Sequence, residues 1–307
     1  MIRAEGLTRR FGDRIAVEGL TFVARPGEIL GLLGPNGAGK TTTIRMLAGI
    51  IAPSFGSASV LGLDPARVPE RVHERIGLLT EAPGFYERLT ARRNLTYFAG
   101  FYPGLQVERA VDEQLRIMGL SDRAGDNVGT FSKGMKQRLA LARTLVHEPE
   151  VLFLDEPTAG LDPEAARDLR GLIVRLKGEG RTILLSTHNL TEAEALCDRI
   201  AVFRTRLVAL DTPQALRERQ FAPLVRVRVE NLTDALVSAV AGEPFVREAG
   251  RDAGEPGTLL VRLEKADRDR PVLVSRLVAL GAEILEVRED RRTLEDVYLS
   301  LVREDEA

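Results

Sequence analysis

The stretch Gly34-Pro35-Asn36-Gly37-Ala38-Gly39-Lys40-Thr41 fits the pattern G-x-x-x-x-G-K-[ST] at every fixed position. It lies between an apolar run at residues 29–33 and a helical run that ends near residue 48. Glycines here let backbone N–H groups surround a phosphate, and the helix directs its positive end at the same point. We expect Lys40 to reach the β- and γ-phosphate oxygens and Thr41 to place its hydroxyl on Mg²⁺, with Thr42 beside it. The stretch therefore predicts a phosphate-binding loop in an α/β fold with a parallel sheet.

A second motif, Val-Leu-Phe-Leu-Asp-Glu at residues 151–156, is an apolar strand that ends in two adjacent carboxylates. Asp155 continues the strand and can hold the shell of a Mg²⁺ ion. Glu156 lies one residue on and faces a different direction, where it can polarise an attacking water. The two motifs are independent, and together they predict the binding and hydrolysis of a nucleoside triphosphate.

The remaining pattern predicts two domains. Residues 1–220 should hold a hairpin around Gly12-Asp13, buried strands at 29–33, 151–154 and 182–186, a helical subdomain at about 83–146, and a strand pair at 200–203 and 207–210. A boundary is expected near residues 220–223. Residues 221–307 then follow the order βαββαβ, with the second helix at 271–280, which is the pattern of a small α+β ferredoxin-like domain. A last helix is predicted at 294–302.

The segment 131–138, Phe-Ser-Lys-Gly-Met-Lys-Gln-Arg, resembles the L-S-G-G-Q signature of the ABC ATPase family. Ser132 and Gly134 match, whereas Phe131, Lys133 and the residues at 135–136 depart from the commonest form. The resemblance implies a P-loop NTPase fold of the ABC type, in which a RecA-like core carries an antiparallel β subdomain and a helical subdomain. Physically, Ser132 is an N-cap that opens a helix whose free N–H groups can bind an anion.

The resemblance also assigns roles to residues outside the two motifs. Ser132 and Gly134 would hold the γ-phosphate of an ATP bound to the other subunit, which implies a dimer of two copies. Asp162, in a segment that resembles the D-loop, would touch the opposite site, and His188 would contact the γ-phosphate. Phe11 stands where the family carries an aromatic ring that stacks on adenine, although a plain core residue is the alternative.

Glu81 replaces the glutamine that the family usually carries in its Q-loop. It could reach Mg²⁺ through water, or it could leave an uncompensated charge near the phosphates. This substitution looks like that of family members that drive drug or antibiotic efflux, and the tail at 293–299 is similar to that of daunorubicin-type exporter ATPases. The resemblance then implies an ATPase that uses ATP and Mg²⁺ to power an exporter of drug, antibiotic or lipid-like compounds. Its partner would be an integral membrane permease whose cytoplasmic helix is gripped by residues 81–94, so the chain would lie on the cytoplasmic face of the membrane.

The composition argues against other classes of protein. The 43 basic and 45 acidic residues give a net charge of −2, so the chain lacks the positive excess that holds nucleic acid. The single cysteine, Cys197, forms no internal disulfide, and no secretory signal or membrane-spanning run is visible. An alternative is a soluble ABC ATPase that acts on ribosomes or DNA. Such proteins usually fuse two ATPase units or insert a coiled coil, and the sequence shows neither feature. A nucleotide-binding protein without turnover would lack a carboxylate such as Glu156 or a histidine such as His188.

Overall fold

The computed structural model describes residues 1–220, 224–252, 254–290 and 293–306. The chain divides into two compact units, Met1–Pro213 and Gln214–Ala307. The boundary predicted near residues 220–223 includes residues 221–223, which lie outside the described residues. The observed division falls between Pro213 and Gln214, at the start of a helix, Pro213–Gln220.

The first unit contains nine strands within its described residues: β1 (Ile2–Phe11), β2 (Arg14–Ala24), β3 (Ile29–Leu33), β4 (Phe55–Val60), β5 (Ile76–Leu79), β6 (Val151–Asp155), β7 (Thr182–Thr187), β8 (Arg199–Arg204) and β9 (Arg206–Asp211). Six form a sheet in the order β5-β6-β7-β3-β8-β9, in which β9 alone runs antiparallel to its neighbour. Every residue of β3, β6 and β7 is buried. These are the continuous apolar runs that predicted a parallel sheet with both faces covered.

Strands β1, β2 and β4 form a separate antiparallel sheet in the order β2-β1-β4. The predicted hairpin is present, with Phe11 and Arg14 as the last paired residues on either side of Gly12-Asp13. Apolar side chains of this sheet, such as Leu7 and Leu20, share one core with Leu32 of the central sheet and Ile44 of the following helix. The phosphate loop therefore begins at a strand that is covered by the antiparallel sheet.

The helices of the first unit and its boundary are α1 (Lys40–Leu47), α2 (Pro69–His73), α3 (Ala91–Ala99), α4 (Val107–Ile117), α5 (Lys133–Leu145), α6 (Pro163–Gly178), α7 (Leu190–Leu196) and α8 (Pro213–Gln220). Helices α3, α4 and α5 contact one another and lie within the predicted helical subdomain. Side-chain caps set the starts of α3 and α5: the hydroxyl of Thr90 accepts from Arg93 N at 3.2 Å, and that of Ser132 from Met135 N at 3.2 Å.

Strand β5 corrects the sequence prediction, which has only three buried parallel strands between residues 29 and 186. Its four residues, Ile-Gly-Leu-Leu, are too few to show a periodicity, and glycine weakens strand propensity. The fold nevertheless requires Gly77, because a Cβ there would lie 2.6 Å from the carbonyl oxygen of Thr144 in α5. The glycine allows α5 to approach the edge of the sheet.

The second unit contains β10 (Leu224–Val229), α9 (Asp234–Ala241), β11 (Val246–Arg251), β12 (Thr258–Leu263), α10 (Ala266–Ala279), β13 (Ile284–Asp290) and α11 (Leu294–Glu306). Its sheet is antiparallel in the order β11-β12-β10-β13, and the element order is the predicted βαββαβ. Alternate residues of the sheet, such as Val227 and Val261, form a core with Leu236 of α9 and Leu273 of α10. This alternation is typical of a sheet with one covered face.

Helix α10 begins five residues before the predicted start at Pro271. Proline is most favourable in the first turn of a helix. Here Pro271 lies inside the helix, while the carboxylate of Asp269 accepts a hydrogen bond from Lys265 N at 2.8 Å at the start of the first turn. The prediction is therefore wrong at this boundary.

Among the helices in the described part of the chain, none is both long and apolar enough to cross a bilayer.

Candidate active site

The phosphate loop is tightly enclosed by backbone, which explains two of its glycines. Gly39 has φ 101°, and a Cβ there would lie 2.3 Å from the carbonyl oxygen of Ala16. A Cβ on Gly34 would lie 2.1 Å from the carbonyl oxygen of Phe203. Any larger residue at either position would force the loop away from β2 or β8. Gly39 then caps α1, so the N-terminus of that helix faces the loop.

Lys40 is buried, with only 6% of its surface exposed, and its ammonium is held in a fixed position. Its ammonium donates to the carbonyl oxygens of Gly34 at 2.6 Å and Pro35 at 3.1 Å, and it lies 3.3 Å from Glu156 Oε1. A buried ammonium needs such partners, because an unpaired charge in the interior is costly. The loop therefore presents one immobilised cation opposite the end of β6.

The two carboxylates at the end of β6 point in different directions, as the sequence predicts. Asp155 is buried and accepts a short hydrogen bond from the hydroxyl of Ser186 on β7. Glu156 has φ 50°, in the left-handed region, which costs a non-glycine residue of order 1–2 kcal/mol. The backbone turn takes the side chain out of the strand alternation and aims it at Lys40.

Glu156 also contacts His188, the other residue that the sequence predicts to be catalytic. Its Oε2 lies 2.9 Å from His188 Nδ1, and its side chain is 10% exposed whereas that of His188 is 54% exposed. A carboxylate held between a fixed cation and an imidazole has a defined orientation. This is the arrangement expected of a general base whose position is set by its neighbours.

A cavity of about 460 Å³ opens beside these groups. It collects most of the residues that the sequence predicts for one nucleotide: Phe11, Pro35, Asn36, Gly37, Ala38, Gly39, Lys40, Thr41, Thr42, Glu81, Glu156 and His188. Gly34 and Asp155 do not line the cavity. The Gly34 carbonyl instead holds Lys40, and Asp155 is buried against Ser186.

Phe11 is 48% exposed, and the guanidinium carbon of Arg9 lies 4.6 Å from the centre of its ring. The alternative that Phe11 is a plain core residue is therefore wrong. Its ring lies at the rim of the cavity, on the last residue of β1.

Comparison with known proteins shows the family of the chain. The model of a family described as "ABC transporter" matches residues 17–159. A fluoroquinolones export ATP-binding protein of Mycobacterium tuberculosis is 44% identical over 245 residues, which cover 79% of this chain and 81% of that protein. The chain belongs to the family of ABC transporter ATP-binding proteins.

Two further similarities extend this assignment. The bacitracin transport ATP-binding protein BcrA of Bacillus licheniformis is 36% identical over 305 residues, 98% of this chain and 97% of that one. A solved ATP-binding subunit of an ABC transporter is 34% identical, with a TM-score of 0.65, over 71% of this chain and 92% of its own. The family resemblance and the fold class are confirmed, and the chain is the ATP-binding, ATP-hydrolysing subunit of an ABC transporter.

The signature residues of the family lie outside the cavity, in a second group. Ser132 caps α5, and Asp162 caps α6 by accepting from Ala165 N at 2.8 Å. The two helix starts are adjacent, because a Cβ on Gly134 would lie 3.2 Å from the Cβ of Ala165. The chain thus holds a cavity lined by the phosphate loop and, apart from it, a pair of neighbouring helix N-termini.

Sequence reasoning missed several residues around the site. Arg14, Ala16 and Ala159 also line the cavity. Glu192, with 1% of its surface exposed, accepts hydrogen bonds from Thr158 Oγ1 at 2.7 Å and Thr187 Oγ1 at 2.6 Å. It therefore ties together the segments that follow Glu156 and precede His188. Arg14 stands three residues after Phe11 across a predicted turn, and that spacing is a signal that could have been used.

Proposed function

We propose that two copies of this chain close around two MgATP molecules and power a separate membrane subunit that exports drug- or antibiotic-like compounds. One observation carries the proposal: the predicted phosphate-binding residues fall into two groups that do not share a cavity. Lys40 and its loop line the cavity, whereas Ser132 and Gly134 lie at the start of α5 outside it. One chain then supplies two half-sites, and a second copy completes both.

Within each site, Glu156 is the group that accepts a proton from the attacking water. His188 orients Glu156 and contacts the γ-phosphate, and Lys40 turns from Glu156 toward the β- and γ-phosphates. The 3.3 Å approach between Lys40 and Glu156 supports these roles, because it brings the cation and the base to the point where the γ-phosphate would be attacked. Phe11 stacks on the adenine.

The oxygen donors of Thr41, Asp155 and Glu81 suit Mg²⁺, a hard cation that is usually held by one or two carboxylates together with phosphate oxygens. Thr41 and Glu81 line the cavity, and Asp155 lies behind it at the end of β6. The ion would neutralise charge on the β- and γ-phosphates. The carboxylate of Glu81 adds a negative charge where the family usually has an amide.

Residues 81–94 and the groove beside them form the surface that we propose for the membrane subunit. A cavity of about 490 Å³ there is lined in part by Phe98, Phe101 and Tyr102. Tyr86, Tyr97 and Phe101 are each about half exposed or more. A helix with an apolar face suits an aromatic groove of this kind, and such a helix from the membrane subunit is the proposed occupant.

Arg143 connects this groove with the segment that follows Glu81. Its guanidinium donates to the carbonyl oxygens of Pro83 at 3.2 Å and Gly84 at 3.0 Å, and it lies 4.6 Å from the ring of Phe98. Glu81, only two residues earlier, lines the nucleotide cavity. A shift of Glu81 on hydrolysis would therefore be transmitted through this segment and Arg143 to the docking surface.

The experiment is to purify the tagged full-length chain from native membranes in mild detergent, identify the polypeptides that accompany it and measure ATP hydrolysis. A stoichiometric polypeptide with several membrane spans is expected, and its loss of association in Phe101→Asp would support the groove. The matched control is Phe55→Asp, which changes an exposed phenylalanine of β4 outside the groove. Ribosomal proteins or DNA in place of a membrane subunit would contradict the proposal and favour a factor that acts on nucleic acid.

The name of one relative, a fluoroquinolones export ATP-binding protein, supports export as the direction. The names of the relatives specify fluoroquinolones for this one and bacitracin for another. Both compounds are antibiotics, so the compound class that we propose for the assembled transporter is antibiotic-like. Drug accumulation in cells with and without the chain tests this step, and equal accumulation of all such compounds would contradict it.

A further inference from the structure

The nucleotide cavity contains a second cation besides Lys40. Arg14 begins β2 and lines the cavity, and it pairs in register with Phe11 across the hairpin turn. Its Nη2 would lie 3.8 Å from a Cβ placed on Gly37, which is ordinary van der Waals contact with the phosphate loop. The guanidinium therefore contacts the phosphate loop in a cavity that Phe11 also lines.

Arg14 differs from Lys40 in having its hydrogen-bonding capacity available. Lys40 already has two carbonyl oxygens and Glu156 as partners. Among the described residues, the Arg14 guanidinium has no ion-pair or hydrogen-bond partner. A guanidinium presents five N–H donors in a planar fork that matches phosphate oxygens. In this cavity it is the cation that can bind a ligand without giving up a protein partner.

The charge balance of the cavity supports the same conclusion. Glu81 and Glu156 bring two negative charges to its lining, and Lys40 alone offsets only one of them. With Arg14 the formal charge of the lining is zero when His188 is neutral. A polyphosphate anion would otherwise enter a site with a net negative charge, so Arg14 removes a repulsion as well as supplying donors.

We infer that Arg14 binds the non-transferred phosphates of the nucleotide and holds it between the Phe11 ring and the phosphate loop. Glu156 contacts Lys40 and His188, whereas among the described residues no hydrogen bond or ion pair links Arg14 to Glu156 or His188. This inference rests on the proposed placement of the nucleotide in the cavity. It predicts a binding residue that contributes to affinity for ADP and ATP alike and leaves the chemical step unchanged.

The test is isothermal titration of the full-length chain with MgADP and with a nitrogen-bridged, non-hydrolysable ATP analogue. Arg14→Gln should weaken the binding of both nucleotides by the same factor, about five- to tenfold, which lies between the upper value for an exposed ion pair and the lower value for a hydrogen bond to a charged group. Arg14→Lys should lose less, because it keeps the charge. The matched control is Arg10→Gln, since Arg10 lies over Phe55 on the neighbouring strand and does not line the cavity.

Two further readouts distinguish binding from a structural role. In steady-state ATP hydrolysis, Arg14→Gln should raise KM and leave kcat unchanged. The difference in nucleotide affinity between wild type and Arg14→Gln should be smaller in 0.5 M KCl than in 0.05 M KCl, because salt screens exposed charges. Unchanged affinity in Arg14→Gln, or an Arg14→Lys variant as weak as Arg14→Gln, would overturn the inference.

Lys40→Ala separates this inference from the placement on which it rests. Weakened binding in Lys40→Ala with unchanged binding in Arg14→Gln would overturn the role of Arg14 alone. Unchanged binding in both variants would overturn the placement of the nucleotide in the cavity. Weakened binding in both, with Arg10→Gln like wild type, is the expected result.

Discussion

Replacing Glu156 with glutamine removes the carboxylate that we propose as general base while keeping the size of the side chain. The amide can still lie between Lys40 and His188, so the geometry of the site should persist. General-base catalysis contributes about 10²- to 10⁴-fold to a rate. Since each tenfold factor corresponds to about 1.4 kcal/mol of barrier, the variant should lose about 3–5 kcal/mol of transition-state stabilisation.

Nucleotide affinity should change in the opposite direction from the rate. Glu156 places a negative charge 3.3 Å from Lys40, and that charge competes with the phosphates for the ammonium. Glu156→Gln should therefore bind ATP at least as tightly as wild type. Because ATP is bound but not hydrolysed, the proposed dimer should accumulate in its closed form.

The assay combines phosphate release from MgATP, titration with MgATP, and size-exclusion chromatography with and without the nucleotide. Glu113→Gln is the matched control, because Glu113 is an exposed residue of α4 outside the cavity. Turnover of Glu156→Gln within a factor of about three of wild type would refute the assignment, since a general base is expected to contribute at least 10²-fold.

Three further predictions concern stability and pH. Gly39→Ala should destabilise the fold by at least about 1–2 kcal/mol, because alanine at φ 101° is strained and its methyl group would meet a carbonyl oxygen at 2.3 Å. Thr187→Val should cost about 1.5–3 kcal/mol, since it removes a 2.6 Å hydrogen bond to the buried carboxylate of Glu192. The pKa of His147 is lowered, mainly by burial, so the unfolded chain binds more protons near the ordinary pKa of 6.5. Stability from this group is present above that pH and is lost as the pH falls, and His147→Gln should flatten the decline.

Urea denaturation measures all three effects, and each has its own comparison. Gly171→Ala in α6 is the control for the loop glycine, because Gly171 has open space around it and alanine favours a helix. Thr96→Val, at an exposed position of α3, is the control for the hydroxyl. Equal stability of Gly39→Ala and wild type, a Thr187→Val variant as stable as Thr96→Val, or the same pH slope with and without His147 would each contradict the corresponding argument.

The sequence was informative wherever function depends on neighbours along the chain. The phosphate loop and the Asp155-Glu156 pair are local patterns, so their positions at the ends of buried strands could be predicted. The different directions of the two carboxylates could be predicted too, although the left-handed backbone at Glu156 that produces them could not. Strand β5 could not be predicted because four residues carry no periodicity, and the start of α10 could not be predicted from its proline, which lies inside the helix.

Interactions between segments that are distant along the chain could not be predicted from the sequence. Glu192 was an ordinary charged residue of a short helix until the structure placed it between Thr158 and Thr187. Arg14 needed the register of the hairpin to place it beside the phosphate loop. Such contacts depend on how elements pack, and a single sequence does not encode them as a repeated pattern.

The separation of the cavity from the start of α5 has a genetic consequence. In a dimer whose active sites each take Lys40 from one chain and Ser132 from the other, a Lys40 defect and a Ser132 defect on different chains leave one site wholly intact. Two alleles that are each inactive would then restore partial activity when expressed in the same cell. Two alleles altered in the same group, such as Lys40 and Glu156, would leave each of the two sites of a mixed dimer with one defect. A cross between mutants would therefore assign residues to the two half-sites without any structure of the dimer.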